Sequence, residues 1–516
     1  MVGPFVVVGA RAATAVHGSA VAREGYALSG VVDCRGQKPS RRPCLRRSGM
    51  GSLCACFCSP FPNPGILMAH TSPMRCFRAL LAVSLLTLSP LLAARTPTPE
   101  APLPVARPES LGLSAERLAY MGSYFGEQAA RDVAAGYVIM VARDGKLAYS
   151  AAVGMRDREQ KIPMTLDTRF RIASMTKPVT ATAVLMLYEE AKIQLDDPVE
   201  RYLPEFANPV VFAGLDAHGK PKTEPARRPI TVRHLLTHTA GLGYGRLFDK
   251  GSPNAEVWSG LSLAADETLA KKVKDVAKLP LYTHPGEAWR YSVANDVLGR
   301  LVEVVSGMPF DHFLQQRIFD PLQMTHTGFF VPAEAQPLVA KVYKHDEHGV
   351  LVPGDFGPIG VPTQAPAFIS GGGGLISTAG DYLRFAQMLA NGGTLDGRQY
   401  LSPVTVELMT SNQVADDAQA RYWGDDSKGL GYGLGVAPQI DFRQAPYANM
   451  DGDFAWGGIL DTHWVASPRT GLVAVLMTQM NPVGRTTPRR TDGDFRGLLF
   501  ASVKTMQGGA GVTGRR

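Results

Sequence analysis

The chain has 516 residues, of which 45% are hydrophobic, and it carries a formal net charge of +7. Ten basic and two acidic residues lie within 1–94, so the remainder has 43 basic and 44 acidic residues. A near-neutral remainder lacks the positive surface that nucleic-acid binding requires. We therefore expect no nucleic-acid partner, and the length allows a large buried core.

A secretion signal is predicted inside the chain rather than at its start. Met74 opens a short basic stretch, and an almost entirely apolar run follows at 79–94. A basic start, a short apolar core and small residues at its end are typical of a signal peptide, whereas a membrane span needs roughly 20 apolar residues. We expect a signal peptide at 74–94 and a periplasmic or secreted protein with no stable membrane span after its removal.

This interpretation makes residues 1–73 a disordered, non-native upstream extension, with translation starting at Met74 or Met68. Residues 95–108 form a linker rich in proline and threonine. All six cysteines precede residue 95, so the mature protein would have neither disulfides nor a cysteine nucleophile. A metal site in the Cys-x-Cys-x-Cys cluster at 54–58 is disfavoured because partner histidines are missing nearby, and we expect no metal and no cofactor.

The first part of the mature chain predicts a helix, a hairpin and a second helix. Apolar spacing indicates an amphipathic helix within 110–135. Residues 137–140 and 147–153 are predicted strands, joined at Asp144-Gly145. The segment 179–191 is apolar nearly all round and predicts a central buried helix, with Pro178 in its first turn.

Strand patterns return near the end of the chain. Residues 462–467 and 472–479 are predicted strands, and 495–505 a closing helix. Between the two strand regions the pattern is mainly helical, at about 195–395. We therefore predict an α/β fold of the α+β type for residues 109–508: an antiparallel sheet flanked by helices, built from both chain ends, with a mostly helical inserted subdomain. Residues 509–516 would be a tail.

Ser174-Met175-Thr176-Lys177 precedes the predicted central helix. A residue three positions on lies over the same helical face, so the Ser174 hydroxyl and the Lys177 amine can meet. A lysine removed from water has a lowered pKa and can relay a proton from a hydroxyl, while the helix dipole favours negative charge at this end. This pattern indicates acyl transfer through a serine nucleophile, although an N-cap serine with a solvated lysine has the same pattern.

Two other stretches supply complementary chemistry. Tyr291 lies in a Pro-Gly-initiated segment, and a tyrosine beside an ammonium has its phenolate favoured, so it can act as a general base. Trp456-Gly457-Gly458 precedes the predicted strand pair. Glycines at the head of an edge strand allow the backbone to approach a ligand, where a main-chain amide can hold an oxyanion. A buried tyrosine and a simple bulge are the structural alternatives.

Five motifs occur in order: Ser174-x-x-Lys177, Leu-Leu-Thr-His-Thr-Ala-Gly-Leu at 235–242, Pro285-Gly286 leading to Tyr291-Ser292, residues 371–378, and Trp456-Gly457-Gly458. Together they resemble the serine β-lactamase and penicillin-binding-protein superfamily over about residues 105–505. Within it, the chain looks most similar to class C β-lactamase-related family VIII carboxylesterases.

The resemblance implies a role for each motif. Ser174 matches the acylated nucleophile, Lys177 its proton-relay partner and Tyr291 the base. Trp456, Gly457 and Gly458 match the substrate-binding strand, which places the Ile459 amide beside that of Ser174 in the oxyanion hole. The partner would be a small-molecule ester or amide.

Departures from the lactamase pattern point towards esters. Related lactamases have Tyr-x-Asn and Lys-Thr-Gly; here Val293 occupies the amide position, and Lys-Thr-Gly does not occur in the sequence. A lysine there would attract a substrate carboxylate, whereas Trp456 offers apolar surface, so the site is suited to uncharged acyl esters. Asp461 also stands where a glycine is usual.

Several alternatives stay open at this level. A β-lactamase, a D-alanyl or D-amino-acid peptidase and an acyltransferase would share these motifs, and a non-catalytic binder is disfavoured because Ser174, Lys177 and Tyr291 are all retained. Zinc binding by His234 and His238 is disfavoured since Leu235, not glutamate, follows the first histidine. A conventional α/β-hydrolase is disfavoured because Gly-x-Ser-x-Gly does not occur in the sequence.

Overall fold

The structure is a computed structural model that describes residues 101–249, 251–261, 266–356, 361–424, 427–482 and 491–506. The predicted upstream extension, the signal peptide, the start of the linker and the C-terminal tail lie outside these residues.

Helices and strands are numbered here in chain order. The α-helices α1 to α11 are Ala115–Ala130, Thr176–Glu189, Val232–Leu236, Pro253–Trp258, Leu269–Val276, Ala294–Ser306, Phe310–Leu314, Ala379–Ala390, Pro403–Thr410, Ala418–Trp423 and Thr491–Ala501. The strands β1 to β15 are Gly136–Arg143, Lys146–Asp157, Ile162–Pro163, Phe170–Arg171, Val210–Leu215, Pro221–Pro225, Tyr343–His345, Leu351–Pro353, Ile376–Ser377, Thr394–Leu395, Arg398–Gln399, Ala437–Pro438, Phe454–Gly458, Thr462–Ser467 and Leu472–Met477. Among the helices of these segments, none is both long and apolar enough to span a membrane.

Seven strands form the main sheet, in the order β12-β13-β14-β15-β1-β2-β3. The two chain ends meet where β1 pairs antiparallel with β15, so that Val138 lies opposite Met477. The predicted fold is therefore confirmed: an antiparallel sheet is built from both ends of the chain and is flanked by helices.

The sheet is buried on both faces, which gives three layers. All eight residues of β1 are buried. Alternate side chains point to opposite faces of a strand. Val138 and Met140 belong to the core that contains α2 and α8, while Tyr137 and Ile139 belong to the core that contains α1 and α11. Such two-sided burial explains why β1 is an almost continuous apolar run.

The central helix α2 is buried all round, as its apolar sequence predicts. It packs mainly against α6, which comes from the inserted subdomain. A single 3-10 turn, Ala173–Met175, leads directly into α2, so the helical geometry begins before the predicted start at 179. This extension brings Lys177 into the helix, where its side chain is fully buried.

A local cap explains one of the other differences in element bounds. The predicted helix at 110–135 begins at Ala115, because Ser114 caps it by accepting a hydrogen bond from the Arg117 amide. The closing helix occupies Thr491–Ala501 rather than 495–505. Residues 144 and 145 form the predicted hairpin turn, where Asp144 and Gly145 both have positive φ.

The glycines at 457 and 458 were predicted at the head of an edge strand, and this placement is wrong in one respect. They lie at the end of β13, and β13 has the short β12 beside it. Because β12 pairs only with Phe454 and Ala455, the edge of β13 from Trp456 to Gly458 is left unpaired by β12. The backbone there can still approach a ligand.

Candidate active site

Ser174 lies in a strained turn at the start of α2. The preceding residue, Ala173, has φ of 44°, a left-handed conformation that is rare for a residue other than glycine. The Tyr382 hydroxyl donates a hydrogen bond of 2.9 Å to the Met175 carbonyl and so stabilises the turn. A strained backbone conformation that is stabilised by surrounding contacts is common at functional sites. The turn presents Ser174 at the positive end of the α2 dipole.

The structure brings Ser174, Lys177 and Tyr291 together. The Lys177 Nζ donates to Ser174 Oγ at 3.1 Å, and the Tyr291 Oη donates to the same oxygen at 2.7 Å. Tyr291 is 117 residues away in sequence. Both distances permit proton transfer to or from the serine hydroxyl.

The Lys177 ammonium is compensated although it is fully buried. It donates a second hydrogen bond, of 2.7 Å, to the Gly372 carbonyl. Its Nζ also lies 4.6 Å from the Tyr291 ring centroid and 5.6 Å from that of Tyr244. A carbonyl dipole and two aromatic faces offset part of the cost of desolvating a cation.

A buried carboxylate that the sequence reasoning missed holds the Gly372 peptide in place. Asp296 Oδ1 accepts hydrogen bonds from the Gly372 amide at 3.0 Å and from Ser370 Oγ at 2.6 Å. Burial raises the pKa of Asp296, against the opposing effect of these bonds and of the Lys177 charge. Asp296 therefore orients the peptide whose carbonyl contacts Lys177. The available signal was an acidic residue in the first turn of helix α6.

The glycine run at 371–374 is required by close packing against the start of α6. A Cβ at Gly371 would lie 2.4 Å from the Asn295 carbonyl oxygen, and one at Gly372 would lie 2.9 Å from Asp296 Oδ2. Asn295 itself points elsewhere, because its amide nitrogen is 3.5 Å from His238 Nε2. It does not replace the amide of the Tyr-x-Asn motif.

His238 and His234 have separate structural roles. The His238 ring is 4.9 Å from that of Tyr291, and its Nδ1 is 3.1 Å from Ser292 Oγ. Burial, and then the Lys177 charge, hold the pKa of His238 well below its usual value, so the imidazole is neutral. His234 forms a capping box with Thr231 at the start of α3.

The end of β13 lies against the Ser174 turn. A Cβ at Gly458 would be 2.5 Å from the Ile172 carbonyl oxygen and 2.2 Å from Thr462 Oγ1, so a side chain there would push the strand away. Ile459 follows directly, and it lines the same cavities as Ser174. The predicted oxyanion-hole residues, Ser174 and Ile459, thus line the same two cavities.

Asp461 keeps the turn after β13 in the conformation that glycine would adopt. Its φ is 70°, a region in which aspartate is better tolerated than most residues. Its carboxylate lies 2.8 Å from His463 Nε2 and accepts a hydrogen bond of 2.8 Å from Thr491 Oγ1. These contacts stabilise the turn, and β14 begins at Thr462.

Two cavities meet at Ser174. An open cleft of about 410 Å³ is lined by Trp456 and Trp423 and also by polar residues. A second, mainly apolar cavity of about 160 Å³ includes Phe329 and Phe368. Ser174 borders both cavities, so a carbonyl carbon placed at Ser174 Oγ can have its two substituents in different cavities.

The polar wall of the cleft contains a buried carboxyl group. Burial raises the pKa of Asp453 to about 6, although the Met450 amide donates to it at 2.8 Å. Nearby, Arg496 donates to Asp492 Oδ1 and to Asn449 Oδ1, both at 2.9 Å. The cleft is therefore charged and hydrogen-bonded at these residues, while aromatic rings surround Tyr291 beside Ser174.

We expect Asp296→Ala to slow labelling of Ser174 by a fluorophosphonate about 10–100-fold, because loss of charge-assisted hydrogen bonds costs about 1.5–3 kcal/mol. Single-turnover labelling followed by mass spectrometry measures this rate. Ser370→Ala removes only one of the bonds and should have a smaller effect, and Asp296→Asn should restore part of the rate. Equal labelling rates in Asp296→Ala and the wild type would contradict the positioning role.

The raised pKa of Asp453 predicts a pH-dependent stability. Since the folded form holds its proton more tightly than the unfolded form, the contribution is present at low pH and is lost as pH rises through about 6. Asp453→Asn should remove this contribution, so that the unfolding free energy at about pH 4.5 falls by about 2 kcal/mol relative to that at about pH 7.5. Urea denaturation at both pH values measures it. Asp451→Asn, at an exposed carboxylate in the same turn, is the control and should leave the difference unchanged.

Sequence comparisons agree with this geometry. The Beta-lactamase family model matches residues 123–496. An uncharacterized protein of Mycobacterium tuberculosis is 39% identical over 359 residues, which cover 67% of this chain and 86% of that protein. Esterase EstB of Burkholderia gladioli is 33% identical over 403 residues, which cover 74% of this chain and 95% of that protein.

A structural comparison leads to the same conclusion. EstCE1, a hydrolase with promiscuous acyltransferase activity, superposes with a TM-score of 0.64 at 30% identity, over 75% of this chain and 99% of its own. The family match spans well over half of this chain and includes the Ser174 turn, Tyr291 and β13. The chain therefore belongs to the serine β-lactamase and penicillin-binding-protein superfamily, and it has esterases among its relatives.

Proposed function

We propose that this protein is a carboxylesterase that cleaves uncharged carboxylic esters through an acyl-enzyme on Ser174. The observation that carries the proposal is the convergence of Lys177 Nζ and Tyr291 Oη on Ser174 Oγ, at 3.1 and 2.7 Å. The similarity to an esterase and to a hydrolase of this fold supports it.

In the proposed first step, Tyr291 in its phenolate form accepts the Ser174 proton as Oγ attacks the ester carbonyl, and the Lys177 ammonium stabilises the negative charge that develops on the hydrogen-bonded Oγ. The amides of Ser174 and Ile459 donate to the developing oxyanion, and each donor should be worth about 3 kcal/mol. Tyr291 then returns the proton to the leaving alcohol oxygen. In the second step, water attacks the acyl-enzyme. Tyr291 accepts a proton from this water and returns it to Ser174 Oγ as the acid leaves.

Trp456 supports a neutral substrate. Its ring is 5.7 Å from that of Tyr291 and 5.2 Å from that of Tyr432, so an apolar surface borders the nucleophile. A lysine at this position in related lactamases would attract a substrate carboxylate, whereas an indole gives a carboxylate no compensation for lost hydration. An uncharged ester loses less on entering such a site.

Turnover of p-nitrophenyl butyrate and of nitrocefin, measured side by side, tests this function. We expect the ester to be the better substrate, Ser174→Ala to abolish its turnover, and Tyr291→Phe to lower kcat about 10²–10⁴-fold. Adding methanol and quantifying methyl butyrate distinguishes hydrolysis from acyl transfer. Full esterase activity in Ser174→Ala would refute the nucleophile, and faster nitrocefin turnover would favour a β-lactamase.

The proposed site of action is the periplasm or the extracellular medium. The basic start, the apolar run and the small residues of 74–94 support a cleavable signal peptide. N-terminal sequencing of the protein from its native host should find a mature start near residue 95. Peptides from before Met68 would contradict an upstream extension that is not translated.

A further inference from the structure

We propose that Phe248 and Trp423 form an aromatic clamp at the mouth of the cleft, which binds a planar aromatic group in the leaving alcohol of the ester. The inference rests on the proposed esterase function and narrows its substrate class. The clamp consists of these two side chains together with the Tyr291 ring beneath them.

Trp423 has a partly exposed side chain that borders the cleft. Its relative exposure is 38%, and it lines the cleft that contains Ser174. Its ring packs edge to face on Phe248, with centroids 5.5 Å apart and an interplanar angle of 87°. It also lies 5.5 Å from Tyr291. Aromatic surface that is left accessible inside a concave site is a recurring feature of ligand binding.

One buried carboxylate fixes the three segments that carry these rings. Asp249 follows Phe248, forms an ion pair with Arg290 and accepts a hydrogen bond of 3.1 Å from the Tyr422 hydroxyl. Arg290 precedes Tyr291, and Tyr422 precedes Trp423. The clamp is therefore held together before a ligand arrives, which reduces the entropy lost on binding.

The position of Tyr291 assigns the clamp to the alcohol side of the ester. In the proposed mechanism Tyr291 protonates the leaving oxygen, so the alcohol must lie beside this ring, which Phe248 and Trp423 both contact. Water must later enter the space that the alcohol vacates, and the cleft is open to solvent. The second cavity, with Phe329 and Phe368, shares Ser174, Phe248 and Tyr291 with the cleft but is not lined by Trp423, and it can hold the acyl chain meanwhile.

The clamp favours aromatic over saturated rings. Offset and edge-to-face contacts between aromatic rings are worth about 0.5–1.5 kcal/mol beyond the area that they bury. A saturated ring of similar size buries comparable area without these contacts. The clamp should therefore discriminate between two alcohols of equal bulk, about 3–10-fold in kcat/KM.

The test uses benzyl, cyclohexylmethyl and ethyl butyrate, which share an acyl group and have unactivated alcohols. The wild type should prefer the benzyl over the cyclohexylmethyl ester about 3–10-fold. Trp423→Ala should remove the preference, chiefly by raising KM for the benzyl ester relative to KM for ethyl butyrate. Trp423→Phe should keep most of it, and Tyr120→Ala, at an exposed ring on α1, serves as the control.

A second series assigns the side of the ester. Ethyl phenylacetate and ethyl cyclohexylacetate carry the rings in the acyl group, and Trp423→Ala should not change their ratio. A changed ratio here, or a wild type that does not distinguish benzyl from cyclohexylmethyl butyrate, would overturn the clamp. If Trp423→Ala does not fold, Asp249→Asn should reduce the benzyl preference by loosening the same rings. An unchanged preference in this variant would also contradict the clamp. Absence of turnover with all five esters would instead refute the esterase function.

Discussion

The burial of the Lys177 ammonium is the constraint around which the site is built. A fully buried cation is strongly unfavourable unless polar partners replace its hydration. Hydrogen bonds to Ser174 Oγ and to the Gly372 carbonyl replace two that the ammonium would make to water. The Tyr291 ring adds a cation–π attraction. Asp296 in turn accepts a hydrogen bond from the Gly372 amide and so orients this peptide.

The same constraint explains the dense packing around the nucleophile. The glycines at 371 and 372 leave no room for side chains beside α6, and Gly458 leaves none beside Ile172. Each close approach joins a segment that is distant in sequence to the Ser174 turn. Small displacements of any of them would misalign the groups that exchange protons, and such misplacement is costly to catalysis.

Polarity is distributed unevenly along the cleft. Around Tyr291 the walls are rings, including those of Trp456, Phe248 and Trp423. Charged groups, Asp453 and Arg496 among them, also line the cleft, and Arg496 is hydrogen-bonded to Asp492. The reacting bond therefore sits in apolar surroundings, where hydrogen bonds to developing charge are stronger than in water.

The order of strand and helix patterns was enough to predict the sheet from both chain ends, because alternation and apolar periodicity are local properties. Helix and strand bounds were less accurate, since caps such as Ser114 and tertiary contacts decide where an element ends. The hairpin at Asp144-Gly145 was predictable because two residues with positive φ determine it.

The sequence by itself determined the chemistry that is available: a hydroxyl and an amine three residues apart, a phenol, and a glycine-rich strand end. Tertiary structure alone decided which groups meet them. Asp296 acts on Lys177 through a peptide 76 residues further along the chain. Phe248 and Trp423, which both contact Tyr291, come from segments that Asp249 joins to that of Tyr291. Such contacts depend on long-range packing, which no local pattern of residues records.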